Sequence, residues 1–162
     1  MSGLEALLAS EETEASLREG RVVRYGDMNH FIVIEKKEWY VSCAVHGQWL
    51  YHGGMFLLQG MELLARGEVK GVPDGGYLSL VENQAVCVLE PTSPEYLRSG
   101  GFFRTGKLVR YDTRRYLVIH KIWNGSGQWL VDGPAFEVTH SRRLVCIGSA
   151  WGYPVTWLSE VK

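Results

Sequence analysis

The chain predicts an α+β fold, an antiparallel twisted sheet built from two related repeats with helices on one face. Two observations predict it. The first is recurrence. Gly47-Gln48-Trp49-Leu50 returns as Gly127-Gln128-Trp129-Leu130, followed in step by Gly53 and Phe56 in one copy and by Gly133 and Phe136 in the other. Upstream, Gly20-Arg21-Val22-Val23-Arg24-Tyr25 parallels Gly106-Lys107-Leu108-Val109-Arg110-Tyr111, and Phe31-Ile32-Val33-Ile34 parallels Tyr116-Leu117-Val118-Ile119. The second is period. Short β-branched and aromatic runs alternate with stretches whose apolar residues fall at helical spacing.

The elements follow in order. Leu4, Leu7, Leu8 and Leu17 give a partial helical stripe over residues 3–19, with Ser10 and the acids after it as the cap of a second short helix and Gly20 as the stop. Val22–Tyr25 and Phe31–Ile34 read as a hairpin across Gly26-Asp27-Met28-Asn29, with further strands at Glu38–Val45 and Gln48–Tyr51. From Met55 to Arg66, Leu57, Leu58, Met61, Leu64 and Ala65 share one helical face, so a helix ending at Gly67 is expected to lie on the sheet. Gly71-Val72-Pro73-Asp74-Gly75-Gly76 is a turn cluster, and Tyr77–Val81 with Ala85–Leu89 reads as a hairpin around Glu82-Asn83-Gln84. Ser93 and Pro94 then open a helical turn that Gly100-Gly101 closes.

The second copy is shorter between Tyr111 and Gly127 than the first between Tyr25 and Gly47. Thr139–Arg143 has room for only a turn, so the long helix of the first copy is expected to be missing. Leu144–Ile147 and Val155–Leu158 read as closing strands. The expected organisation is a single compact domain over 1–162, with the internal repeat at 20–70 and 106–147 and a linking hairpin at 71–105. Two such halves would bury a joint face, because each alone has a marginal core.

Composition narrows the function classes. The net charge of −1 lacks the basic excess of a typical nucleic-acid-binding domain. Cys43, Cys87 and Cys146 are odd in number and unpatterned. Each of Cys87 and Cys146 lies in an apolar run, which implies reduced thiols and a cytoplasmic setting rather than a disulfide framework. No apolar run reaches the roughly 20 residues of a membrane span, and no targeting segment is recognised at the N-terminus. Six tryptophans and eight tyrosines supply either core packing or an aromatic contact surface.

No coherent catalytic set appears. Cys43, His46 and His52 are the nearest approach to a zinc or cysteine–histidine site, with His30 or Cys87 as further ligands. They form one short pair rather than two, and Ser126 and Asp132 stand at the matching places of the second copy. Glu35, Glu38, Asp112, Asp132 and Glu137 are scattered over strand ends and turns, and the Gly-Gly pairs lack phosphate-loop spacing. Neither a metal nor a cofactor is expected. Arg104, Lys107, Arg110, Arg114, Arg115, Lys121, Arg142 and Arg143 concentrate in the second half, where Tyr111, Tyr116 and Trp123 interleave with them as a nucleic-acid surface would require. The repeated Trp49 and Trp129, flanked by leucine, read as core.

The first unit resembles the SUKH superfamily, which includes bacterial toxin-immunity proteins and early accessory proteins of large DNA viruses. The resemblance covers residues 20–70. It rests on the cadence of Val22–Tyr25, Phe31–Ile34, Glu38–Val41 and an apolar helix finishing Leu63-Leu64-Ala65-Arg66-Gly67. It implies an α+β binding domain without catalysis, which neutralises or redirects another protein. The expectation is therefore a non-catalytic protein-binding module, with contacts at Trp151, Tyr153, Trp157, Arg142 and Arg143. Its partner would be another protein, with homodimer formation through a free sheet edge as part of the same reading. An enzyme around Cys43, His46 and His52 and a nucleic-acid binder on the basic half are the alternatives.

Overall fold

A computed structural model describes residues 17–27, 29–41, 47–75, 77–84 and 88–162. In the first half β1 (Val22–Tyr25), β2 (His30–Val41), β3 (Gly47–Gln59), β4 (Glu62–Pro73) and β5 (Leu78–Leu80) form one sheet in the order β4-β3-β2-β1-β5. After the short helix α1 (Pro94–Arg98) come β6 (Leu108–Asp112), β7 (Arg115–Val118), β8 (Lys121–Gly125), β9 (Gln128–Val138), β10 (Leu144–Pro154) and β11 (Ser159–Glu160). Their order is β10-β9-β7-β6-β11, with β8 also beside β9. All the pairings are antiparallel. In each sheet the last strand returns to lie against the first.

The fold is thus mostly antiparallel β with little helix: among the described residues the helix α1 stands where a layer of helices over one sheet face was expected. The N-terminal helix expected at 3–19 lies outside them except for its last three positions. The run from Met55 to Arg66 is two strands, not a helix. Gln59 pairs with Glu62 across Gly60-Met61, and Gly60 has φ +64°, the left-handed backbone that a two-residue hairpin with glycine first requires. Phe56, Leu58 and Leu63 then alternate into the core. The strands expected separately at 31–34 and 38–45 are one strand up to Val41, with a register shift between Ile34 and Lys36. Of the hairpin expected at 77–89, β5 pairs with β1, and residues 85–87 of the second strand lie outside the described set. Ser93 and Pro94 do start a helix, and Ser93 Oγ donates to Glu95 Oε2 at 2.6 Å.

Corresponding residues of the two halves make corresponding pairs. Val22, Val23 and Arg24 face Val33, Ile32 and Phe31, and Leu108, Val109 and Arg110 face Val118, Leu117 and Tyr116. Gly20 N–H donates to the Ile34 carbonyl and Ile34 N–H to that of Arg21. Gly106 N–H donates to Ile119 and Ile119 N–H to Lys107 in the same way. A Cβ on Gly53 would overlap the Val33 carbonyl oxygen, and one on Gly133 would overlap that of Val118. Close backbone approach explains why both positions are glycine.

The sheets pack face to face. One buried cluster takes Val22, Phe31, Val33, Phe56, Leu58 and Leu63 from the first sheet and Leu108, Tyr116, Val118, Phe136, Val138 and Leu144 from the second. Burying side chains of this size stabilises by about 1.5–3 kcal/mol each before entropy is counted. The remaining apolar residues of each sheet pack in a cluster of their own. Leu17 joins Val23, Ile32, Ile34 and Tyr51 on the first, and Tyr96 of α1 and Phe103 join Val109, Leu117, Ile119 and Val131 on the second. Polar contacts cross between the halves as well. Buried His120 donates from Nε2 to the Gly20 carbonyl at 2.9 Å, and Arg104 pairs with Glu35 at 3.3 Å.

Candidate binding surface

The second sheet carries the aromatic surface. Ser126 and Gly127, with φ of +57° and +82°, make a two-residue turn, and Asn124 Oδ1 accepts from Gly127 N–H at 3.1 Å. That turn sets β8 on β9, with Trp123 opposite Leu130. Between Ala150 and Tyr153 the pairing of β10 with β9 slips by one residue. Gly152 takes φ +71° there, and its N–H donates to Asp132 Oδ1 at 2.7 Å. The result is a pinned bulge, a device that re-aims side chains at sheet edges. Trp151 emerges from it 75% exposed, with its ring tilted over that of Trp123 at 5.5 Å.

A second aromatic group adjoins the same end of β10. Tyr153 lies 5.0 Å from Tyr111 and meets Trp157 edge-on at 6.0 Å, ring centre to ring centre. Trp157 stands on the 3-10 turn Val155–Trp157 and is 64% exposed. Burial pushes the Tyr111 phenol above its ordinary range, so it stays a neutral donor. A shallow groove of about 440 Å³ runs past Tyr111 and Trp157 to Arg110, Asp112, Thr113 and Ser159.

The five expected contact residues therefore do not form one site. Trp151 and the Tyr153–Trp157 pair stand near the C-terminal end of β10. Trp151 lies over Trp123, which pairs with Leu130, whereas Tyr153 pairs with Val131 and so faces the other side of the sheet. Arg142 and Arg143 sit in the Thr139–Arg143 turn before the start of β10, about 25 Å away at the rise of an extended strand. Arg142 has φ +62°, and Arg143 reaches Glu82 at 3.5 Å across the two halves. Sequence reading missed Trp123 as the floor under Trp151, because its partner lies across two strands. It also missed the exposed end of β2. Trp39 and Tyr40 are half exposed there, Trp39 meets Trp49 edge-on at 5.2 Å, and Lys37 Nζ lies 4.6 Å from the Trp49 ring centre. The pair Trp39-Tyr40 at a strand end beside Lys36-Lys37 was the available signal. Trp49 and Trp129 are only half buried and pack on the margins of their clusters, Trp129 edge-on to Tyr96 at 5.3 Å.

Of the thiol–imidazole set, Cys43 and His46 lie outside the described residues, as does Cys87. His52 Nδ1 accepts from Gly71 N–H at 3.1 Å. Its Nε2 is 3.3 Å from Glu38 Oε2, an ion-pair distance without hydrogen-bond alignment. Glu38 also pairs with Lys36 at 2.6 Å, and that bond, with His52 adding to it, holds its carboxyl below the usual range. The other scattered acids are engaged separately. Glu35 meets Arg104, Glu137 meets Arg115, Asp132 holds Gly152, and Asp112 Oδ1 accepts from Thr113 N–H at 2.7 Å. Among the described residues no three metal-ligating side chains converge, and no helix is long and apolar enough to cross a membrane.

Compared with protein families, curated proteins and solved structures, the chain matches none.

Proposed function

We propose that this chain is a non-catalytic protein-binding module whose contact surface is the aromatic end of β10. The carrying observation is Trp151, an indole three-quarters exposed on a bulge that Asp132 and Gly152 hold in place. Large rigid aromatics of this kind dominate protein contacts, because they bury much area at little entropic cost. Trp123 extends the surface beside it, and Tyr153 with Trp157 forms a second aromatic group at the same end of β10. The ion pairs of the basic half favour this reading over nucleic acid. Arg104, Lys107, Arg110, Arg115 and Arg143 each meet a glutamate, which leaves less free charge to displace counterions.

The same reading treats the two sheets as copies of one unit that cover each other's inner faces. Support comes from the matched pairs around Val33 and Val118 and from the two glycines beneath them. The narrower role of neutralising or redirecting another protein follows from the SUKH resemblance alone. In that resemblance the closing helix, Leu63–Gly67, falls on strand β4.

The test is comparative capture from the native host, with the native chain set against Trp151→Ala and Trp157→Ala. A protein retained by the first and lost from both variants, with folding intact, is the expected outcome. Identical retention by all three would remove the aromatic surface from the reading.

A further inference from the structure

We infer that β10 is a self-pairing edge, through which two copies of this chain join antiparallel about Ser149. The proposal rests on the protein-binding reading and names its partner as a second copy.

The two long outer strands are built differently. Strand β4, the edge of the first sheet, carries Glu62, Arg66, Glu68 and Lys70, which is how proteins discourage edge pairing. Strand β10, the edge of the second sheet, has eleven residues and no charge at all. Its outer backbone groups offer a row of donors and acceptors that another strand can satisfy. Both strands contain bulges, so bulging alone does not distinguish them. What distinguishes β10 is the missing charge.

The bulges also fix where pairing can occur. One register shift lies between Cys146 and Gly148 and the other between Ala150 and Tyr153, so Gly148-Ser149-Ala150 keeps its register between them, with Gly148 at φ +125°. These residues are small, and Gly148 and Ser149 are exposed. With Ser149 on the two-fold axis, Ile147 at one bulge of one copy comes to lie near Trp151 at the other bulge of its partner, and the contact occurs twice. Ile147 is 44% exposed and Trp151 75% exposed. A β-branched residue facing an aromatic is among the favourable cross-strand pairs. An uncharged strand meets its own copy without like-charge repulsion, which a charged edge such as β4 could not do in every register. Three residues in register and two such contacts make a small interface, so the dimer is weak and concentration-dependent.

Sedimentation velocity of the full chain over a concentration series tests this. The native protein is expected to show a reversible monomer–dimer equilibrium. Ile147→Lys, which replaces the apolar neighbour of the partner copy's Trp151 with an edge charge, is expected to raise the dimer dissociation constant at least about tenfold. Trp151→Ala is expected to weaken it in the same direction. Circular dichroism and the melting temperature identify any variant that has lost its fold, and Ser149→Lys serves as the second edge variant in that case. A native chain that stays monomeric throughout, or a dimer indifferent to Ile147→Lys and Ser149→Lys, overturns self-pairing. A monomeric chain that still captures a different protein through Trp151 overturns self-pairing while leaving the binding-module reading standing. A dimer without any captured protein supports self-pairing.

Discussion

The phenolic oxygen of Tyr116 on β7 accepts a hydrogen bond from the Leu63 backbone N–H on β4 at 3.0 Å, and so ties one sheet to the other inside their shared core. The matching residue of the first half, Phe31, has no hydroxyl to return the bond. Tyr116→Phe keeps the ring and strands a buried N–H. The expected loss is about 1–3 kcal/mol in urea unfolding, with secondary structure unchanged.

Gln84 acts as a short substitute strand. Its Oε1 accepts from Val22 N–H at 2.9 Å, and its Nε2 donates to the Val22 carbonyl at 2.8 Å and to that of Val81 at 2.9 Å. Gln84→Ala strands the Val22 N–H and leaves the Val22 carbonyl only the Val81 N–H at 3.3 Å. A loss of about 2 kcal/mol is expected, with faster amide exchange at Val22 as the local signature.

Gly53 and Gly133 admit no side chain, because the carbonyl oxygens of Val33 and Val118 occupy the space a Cβ would need. Gly53→Ala and Gly133→Ala should each cost about 3 kcal/mol, a penalty of the overpacking kind. If the two halves carry the same strain, the two melting temperatures should fall by similar amounts.

His120 should make stability depend on pH. Burial holds its imidazole below the ordinary value near 6.5; the bond to Gly20 opposes this and the nearby Arg21 charge adds to it. The unfolded chain therefore binds the proton more readily. Stability is full above about pH 6.5 and declines as pH falls below it. Urea midpoints from about pH 7.5 to 5.5 should show this slope, and His120→Gln should flatten it.

Trp151→Ala should be nearly silent for folding. The ring is mostly exposed and touches chiefly Trp123, so the expected change in unfolding free energy is about 1 kcal/mol or less. A larger loss would mark Trp151 as structural and weaken its assignment to binding.

Local chemistry was the legible part of this chain. The strands at Val22 and Phe31 and the Ser93-Pro94 helix start each follow from a few adjacent residues. The run Met55–Arg66 misled because Leu57, Leu58, Met61 and Leu64 satisfy a helical period, while Phe56, Leu58 and Leu63 satisfy a strand period across a turn. Only tertiary packing, with Gly60 at positive φ, decides between them. The surface was half legible. Trp151, Tyr153 and Trp157 stand near one end of β10, but the length of the strand separates Arg142 and Arg143 from them. No pattern in the letters reveals how far a bulged strand such as β10 will run.

The return of β5 to β1 has a bearing on how the chain is made. As it leaves the ribosome, the first sheet gains its outer strand only when residues 78–80 appear, and Gln84 follows almost at once. From then until Leu108 and its successors emerge, the nascent half presents a bare greasy face with no lid. Synthesis at roughly 5–20 residues per second makes that interval several seconds long, a window in which chaperones and stray copies compete for the same surface.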